Sequence, residues 1–79
     1  MKAAYEFIRT GAARQALHAA QNARKKAGLT QIQLEKRLRT YKGYVSKYES
    51  GERELTLREL LEIAEALNVD PLSLIKPNQ

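Results

Sequence analysis

The stretch Gly28-Leu29-Thr30-Gln31-Ile32-Gln33-Leu34-Glu35-Lys36-Arg37-Leu38, then Arg39-Thr40-Tyr41, then Lys42-Gly43-Tyr44-Val45-Ser46-Lys47-Tyr48-Glu49-Ser50-Gly51, holds two short amphipathic helical patterns separated by three residues. In the first pattern Thr30 stands as N-cap. Gln33 follows three residues later, the spacing of a capping box in which each side chain satisfies the other's backbone N–H. Ile32, Leu34 and Leu38 are its apolar residues. In the second, Val45 and Tyr48 share an inward face at helical spacing. So tight a turn holds the second helix proud of the rest of the chain. A helix with its side chains is about 10–12 Å across, close to the roughly 12 Å width of the DNA major groove.

Working outward, three more helices are predicted. The first runs from about Ala12 to Ala27, with Leu17, Ala20, Ala23 and Ala27 at three- and four-residue steps and Gly28 as a left-handed stop. Past the polar loop after Gly51, Thr56 and Glu59 form a second capping box. Leu57, Leu60, Leu61, Ile63, Ala64 and Leu67 then make a helix apolar around most of its girth, hence buried, and Asn68 ends it. Asp70-Pro71 reads as N-cap and first residue of a short fifth helix carrying Leu72, Leu74 and Ile75. No strand alternation occurs, so the expected class is all-α: a compact five-helix domain over residues 12–76, with a short N-terminal extension (1–11) and a tail (77–79). In the extension, Ala4, Phe7 and Ile8 continue the first helix backwards across Gly11 or, in the preferred reading, are set apart from it as a separate short turn by a break at Thr10-Gly11. Tyr5, Phe7 and Ile8 then lie over the domain's own core or in a subunit contact.

Composition excludes much. Seventy-nine residues make one domain, near the lower size for folding by burial alone. With no cysteine and one histidine, His18, the chain has no disulfide and no metal or nucleophile constellation, so neither a cofactor nor catalysis is expected. His18 lies in an Ala- and Gln-rich helical pattern and reads as a solvated side chain. No apolar run approaches the ~18 residues of a membrane span, and the first residues lack a signal-peptide core, so a cytoplasmic location is expected. The net charge of +5 is unevenly divided. Residues 1–47 hold eleven Lys and Arg against Glu6 and Glu35, a net of +9, whereas residues 48–79 hold three against seven acids, a net of −4. The basic half suits a polyanion and the acidic half is repelled by one.

At Gly28-Leu29-Thr30-Gln31, and at Val45-Ser46-Lys47-Tyr48-Glu49 with Gly51, the chain resembles the Cro/lambda-repressor superfamily, the XRE type of helix-turn-helix regulator found in bacteria and phages. The resemblance covers residues 12–75, including the closing Ala66-Leu67-Asn68-Val69-Asp70-Pro71-Leu72. It implies that Gln31 bonds a DNA phosphate and braces the recognition helix, and that Lys42, Gly43, Ser46 and Lys47 face base edges. It implies phosphate contacts from Ser50 and the Gly51–Arg53 loop, and a salt bridge between Arg24 and Glu49. Elementary chemistry agrees in part. Lysines can donate to guanine O6 and N7, while Thr30, Gln31 and the free N–H groups of a helix start suit phosphate oxygens. Lys42 and Lys47 equally suit phosphates, lacking arginine's fork. Tyr48 matches a core position. Tyr44 reads as a phosphate or groove-wall contact, with burial the alternative; Tyr41 either reaches DNA or covers the turn.

Three positions depart from the family's pattern. Glu35 stands where a small Ala is usual and Arg39 where Gly is usual, and Tyr41 replaces the small N-cap of the recognition helix, leaving Thr40 as substitute. The expectation is that Glu35 turns outward to pair with Arg39, four residues on, and that the left-handed turn costs about 1–2 kcal/mol without glycine. Taken together, these features lead to a DNA-binding transcriptional regulator, a repressor acting as a homodimer on double-stranded DNA with a pseudo-palindromic operator. The alternative is a protein-interaction module, an antitoxin-type or coactivator partner on the same fold.

Overall fold

The computed structural model describes residues 12–75, and they form five helices with no strand among them. These are α1 (Ala12–Lys26), α2 (Gln31–Leu38), α3 (Tyr44–Glu49), α4 (Leu57–Leu67) and α5 (Leu72–Ile75). The expected N-terminal extension and the tail lie outside the described residues.

Local chemistry sets most of the boundaries. Thr30 and Thr56 each accept the N–H of the residue three places on, and Gln33 and Glu59 each return an acceptor to the cap's own N–H. Both expected capping boxes are therefore complete. Helices α1, α2 and α4 end alike, through a residue in the left-handed region: Gly28 (φ 74°), Arg39 (φ 57°) and Asn68 (φ 59°). At each, that residue's N–H and the next one's donate back to carbonyls of the last turn, as in Thr40 N–H to Glu35 O at 3.1 Å. Arg39 thus adopts the left-handed turn without glycine. At the start of α5, Asp70 Oδ1 accepts the N–H of Leu72.

The core gathers Ala16 and Ala20 of α1, Leu34 of α2, Val45 and Tyr48 of α3, Leu60, Ile63, Ala64 and Leu67 of α4, and Leu74 of α5. Helix α1 packs against α3, α4 and α5, while α2 packs against α3 and α4. Two apolar residues of the helical patterns lie outside: Ile32 is 51% exposed and Leu61 46%. Leu72 is 60% exposed while Leu74 is buried, in keeping with a terminal helix too short to bury all its apolar residues. Ala27 is also exposed, while Ala16, not singled out in the sequence pattern, is buried. The helical stripe on α4 is narrower than its composition suggests, because only one side of it meets other helices.

At six residues, α3 is far below the ~12–15 residues at which an isolated helix becomes marginal. It exists because it is anchored. Val45 and Tyr48 are two of the five largest fully buried side chains, and burial of an aliphatic side chain such as Val45 is worth about 1.5–3 kcal/mol. Tyr48's hydroxyl has no hydrogen-bond partner among the described residues. Desolvation pushes the phenol well above its ordinary range and keeps it neutral.

Candidate nucleic-acid interface

The six residues of α3 divide cleanly by face. Tyr44, Val45 and Tyr48 point inward; Ser46 and Lys47 are exposed, as are Lys42 before the helix and Ser50 after it. The helix begins later than the sequence pattern placed it. Lys42 and Gly43 precede it, with Gly43 as N-cap in the left-handed region (φ 96°, ψ −7°), where glycine meets no Cβ penalty. Lys42 therefore sits on the turn rather than within the helix.

Tyr44 requires a correction. It is 7% exposed, its ring edge-to-face with Tyr48 at 5.6 Å and with Tyr41 at 5.5 Å. Its position just before Val45 on the helix still turns it toward α4, and burial pushes its phenol pKa up. Tyr41, by contrast, is 51% exposed and carries the Lys47 ammonium 5.7 Å from its ring centre.

Glu35 also departs from expectation. It does not reach out to Arg39 but is buried, 4% exposed, beneath the turn. One carboxylate oxygen accepts the N–H of Gly43 at 3.0 Å and that of Val45 at 2.9 Å. Those amides are orphans of a helix start, and Gly43 has no side chain to satisfy them. Thr40 is not the cap. A buried acid at a position usually occupied by a small residue needs donors, and the nearest unsatisfied ones are at the start of α3. That need was the signal in the sequence for Glu35's place.

The inner end of α3 is tied down by Glu49, whose side chain is 3% exposed. Arg24 Nε meets one of its oxygens at 2.7 Å and Nη2 the other at 3.1 Å, while Nη1 donates to the Leu29 carbonyl at 2.7 Å. Hydrogen bonding to Glu49 raises the Arg24 pKa above its usual value. Gln31 Nε2 donates to the same carboxylate at 2.9 Å and Gln21 Nε2 at 3.3 Å. The pairing of Arg24 with Glu49 is as the resemblance implied, and Gln31 does brace the recognition helix. Gln31 remains partly exposed at the start of α2, where Thr30 is exposed as well.

Arg53 is half-engaged. Its guanidinium grips both oxygens of Glu59, at 3.1 and 2.7 Å, and lies 4.8 Å from the Tyr44 ring centre. A phosphate at Arg53 has to compete with that carboxylate. The Arg53 hydrogen bonds hold the Glu59 carboxyl at about 2, down from an ordinary 4.5. A depressed carboxyl contributes stability that is present above its unfolded pKa and lost as pH falls toward the folded one. The stability difference between wild type and Glu59→Gln will therefore be constant above about pH 4.5 and shrink toward pH 2. Glutamine still completes the capping box, so the comparison isolates the charge. Urea midpoints of both proteins across that range provide the check, and a difference that ignores pH would refute the assignment.

Arg39, Lys42 and Lys47 are exposed around the turn and α3. No helix of the described residues is long and apolar enough to cross a membrane, and no group of three or more His, Cys, Asp or Glu among them is placed to hold a metal ion. A short helix with a polar outer face, held at both ends by buried carboxylates and preceded by a capped partner helix, defines a helix-turn-helix module. A helix-turn-helix family model matches residues 21–74. The chain belongs to this family, as an XRE-type, lambda-repressor-like domain, and the family is one of DNA-binding regulators rather than enzymes. Comparison with curated proteins and with solved structures found no match.

Proposed function

We propose that the protein is a sequence-specific transcriptional repressor of the cytoplasm that binds a pseudo-palindromic operator as a homodimer. The observation that carries this reading is α3 itself: Ser46 and Lys47 are exposed on its outer face while its inner face and both ends are locked to the domain. Side chains so presented read base edges, with Lys42 alongside from the turn and Gly43 letting the backbone come close. Thr30, Gln31, Arg39, Tyr41 and Ser50 hold phosphates around them. Tyr44, being buried, takes no part.

One α3 spans only a few base pairs, so selectivity calls for two half-sites with centres about 10 base pairs apart. In this reading the dimer contact lies at or near α5, supported by Leu72, which stays 60% exposed while Leu74 is buried.

Selection of bound duplexes from a random pool tests DNA binding and symmetry together, with an enriched pseudo-palindrome as the expected result. A tight complex of one subunit on a non-palindromic site would defeat the dimer reading. On the selected duplex, Lys47→Ala will cost about 1–3 kcal/mol of discrimination at particular base pairs, while Gln31→Ala weakens all sequences more evenly. Unchanged preference and affinity in Lys47→Ala would mean that the assigned face is wrong.

A further inference from the structure

We propose that Glu35 is the positioning residue of the recognition helix, acting from beneath the turn as its N-cap; the proposal rests on the DNA-binding reading given above. The residue clamps the turn at both ends. Its backbone carbonyl accepts the Thr40 N–H at 3.1 Å, closing α2, and its carboxylate accepts the Gly43 and Val45 N–H groups, opening α3. An ordinary helix carries its cap on the residue just before it. Here that residue is Gly43, which offers no side-chain acceptor. The cap has moved eight residues back in sequence and onto the neighbouring helix.

Relocation changes what the cap does. A local cap moves with its own helix, whereas Glu35 belongs to α2, whose other end carries Thr30 and Gln31. The two N–H bonds therefore fix the start of α3 relative to the phosphate-facing end of α2. Glu49 fixes the far end through Gln31, also an α2 residue, and through Arg24. Two buried carboxylates thus pin a six-residue helix at each end to one scaffold. A negative charge at the α3 N-terminus also suits the helix dipole. Without the two accepted hydrogen bonds, the start of α3 frays or rotates, and Lys42 and Lys47 lose their register on the groove.

The test uses the full-length chain in wild-type, Glu35→Gln, Glu35→Asp and Glu35→Ala forms. Two readouts are taken: amide exchange in the free protein, and affinity per folded molecule for the duplex most enriched by the wild type from a randomised pool. Glu35→Gln keeps an acceptor oxygen at the same reach and should bind within about threefold of wild type, whereas loss of the cap in Glu35→Ala should weaken binding about tenfold. Exchange at Gly43 and Val45 should accelerate in Glu35→Ala beyond any global change seen at α1 and α4 amides. If Glu35→Ala does not fold, Glu35→Asp, one methylene too short, reads the same loss in milder form. A variant that loses stability yet keeps wild-type affinity per folded molecule, with Gly43 and Val45 exchanging as the rest of the chain does, overturns the proposal. Failure of the DNA-binding reading is separable: the wild type would then enrich no duplex, and the exchange measurement on free protein would still decide whether Glu35 holds the helix.

Discussion

Replacing Arg24 by Ala will lower the free energy of unfolding by about 3–5 kcal/mol, because it leaves a largely buried carboxylate without its cation and with only the Gln31 and Gln21 amides as donors. Glu49's side chain is 3% exposed and Arg24's is 9%. A chain of 79 residues has, at roughly 0.05–0.15 kcal/mol per residue, a total stability of about 4–12 kcal/mol, so this one change removes much of it. Glu49 is also the last residue of α3, where the helix dipole disfavours a lone anion, so Arg24→Ala should be the harsher of the two single deletions. In Glu49→Ala the stranded guanidinium still has the Leu29 carbonyl. Arg24→Lys will not rescue, since three nitrogens of the planar fork are bonded in different directions and an ammonium cannot span them. The double alanine variant should cost less than the sum of the singles, because neither charge is then left unpaired. Denaturant melts of the four proteins give the coupling directly. Strict additivity would mean that the two side chains do not act on each other.

The proposed operator complex will weaken steeply with salt. Each phosphate neutralised on duplex DNA releases about 0.9 counterion, so a two-subunit complex with roughly eight phosphate contacts should show a log–log slope near −7. Between 50 and 200 mM salt, a slope of that order removes about four decades of affinity. The residues up to Lys47 carry a net +9 and those after it a net −4, so the attraction is concentrated on the half that holds α1, α2 and the turn. Tyr44 and Arg53 do not add to it as first expected, one being buried and the other gripping Glu59. Titrations of the selected duplex at four or five salt concentrations measure the slope. A value close to zero would set aside the DNA reading in favour of a module whose chief ligand is another polypeptide.

Much of the fold was legible because its signals are local. The capping boxes at Thr30–Gln33 and Thr56–Glu59, and the stops at Gly28 and Asn68, depend on groups three to five residues apart that find each other whatever the rest of the chain does. The left-handed turn at Arg39 came from the family resemblance, which places glycine there, rather than from its own residue type. The Arg24–Glu49 bridge came from the family resemblance rather than from spacing, since the two are twenty-five residues apart.

The rest depended on what each helix meets. A helical stripe says which residues share a face but not how wide a neighbour covers it, and for that reason Ile32 and Leu61 lie open while Tyr44 is enclosed. Glu35's reach to the start of α3, and Arg53's grip on Glu59 over the Tyr44 ring, are decided in the same way. By itself, then, the sequence determined the five helices, the capping boxes of α2 and α4, the stops at Gly28 and Asn68, and the all-α class, because those follow from hydrogen bonds and periodicity within a few residues. Only the tertiary structure decided where α3 begins, what caps it and which side chains remain free to meet DNA, because a buried carboxylate or ring is placed by partners that become neighbours only when the helices pack.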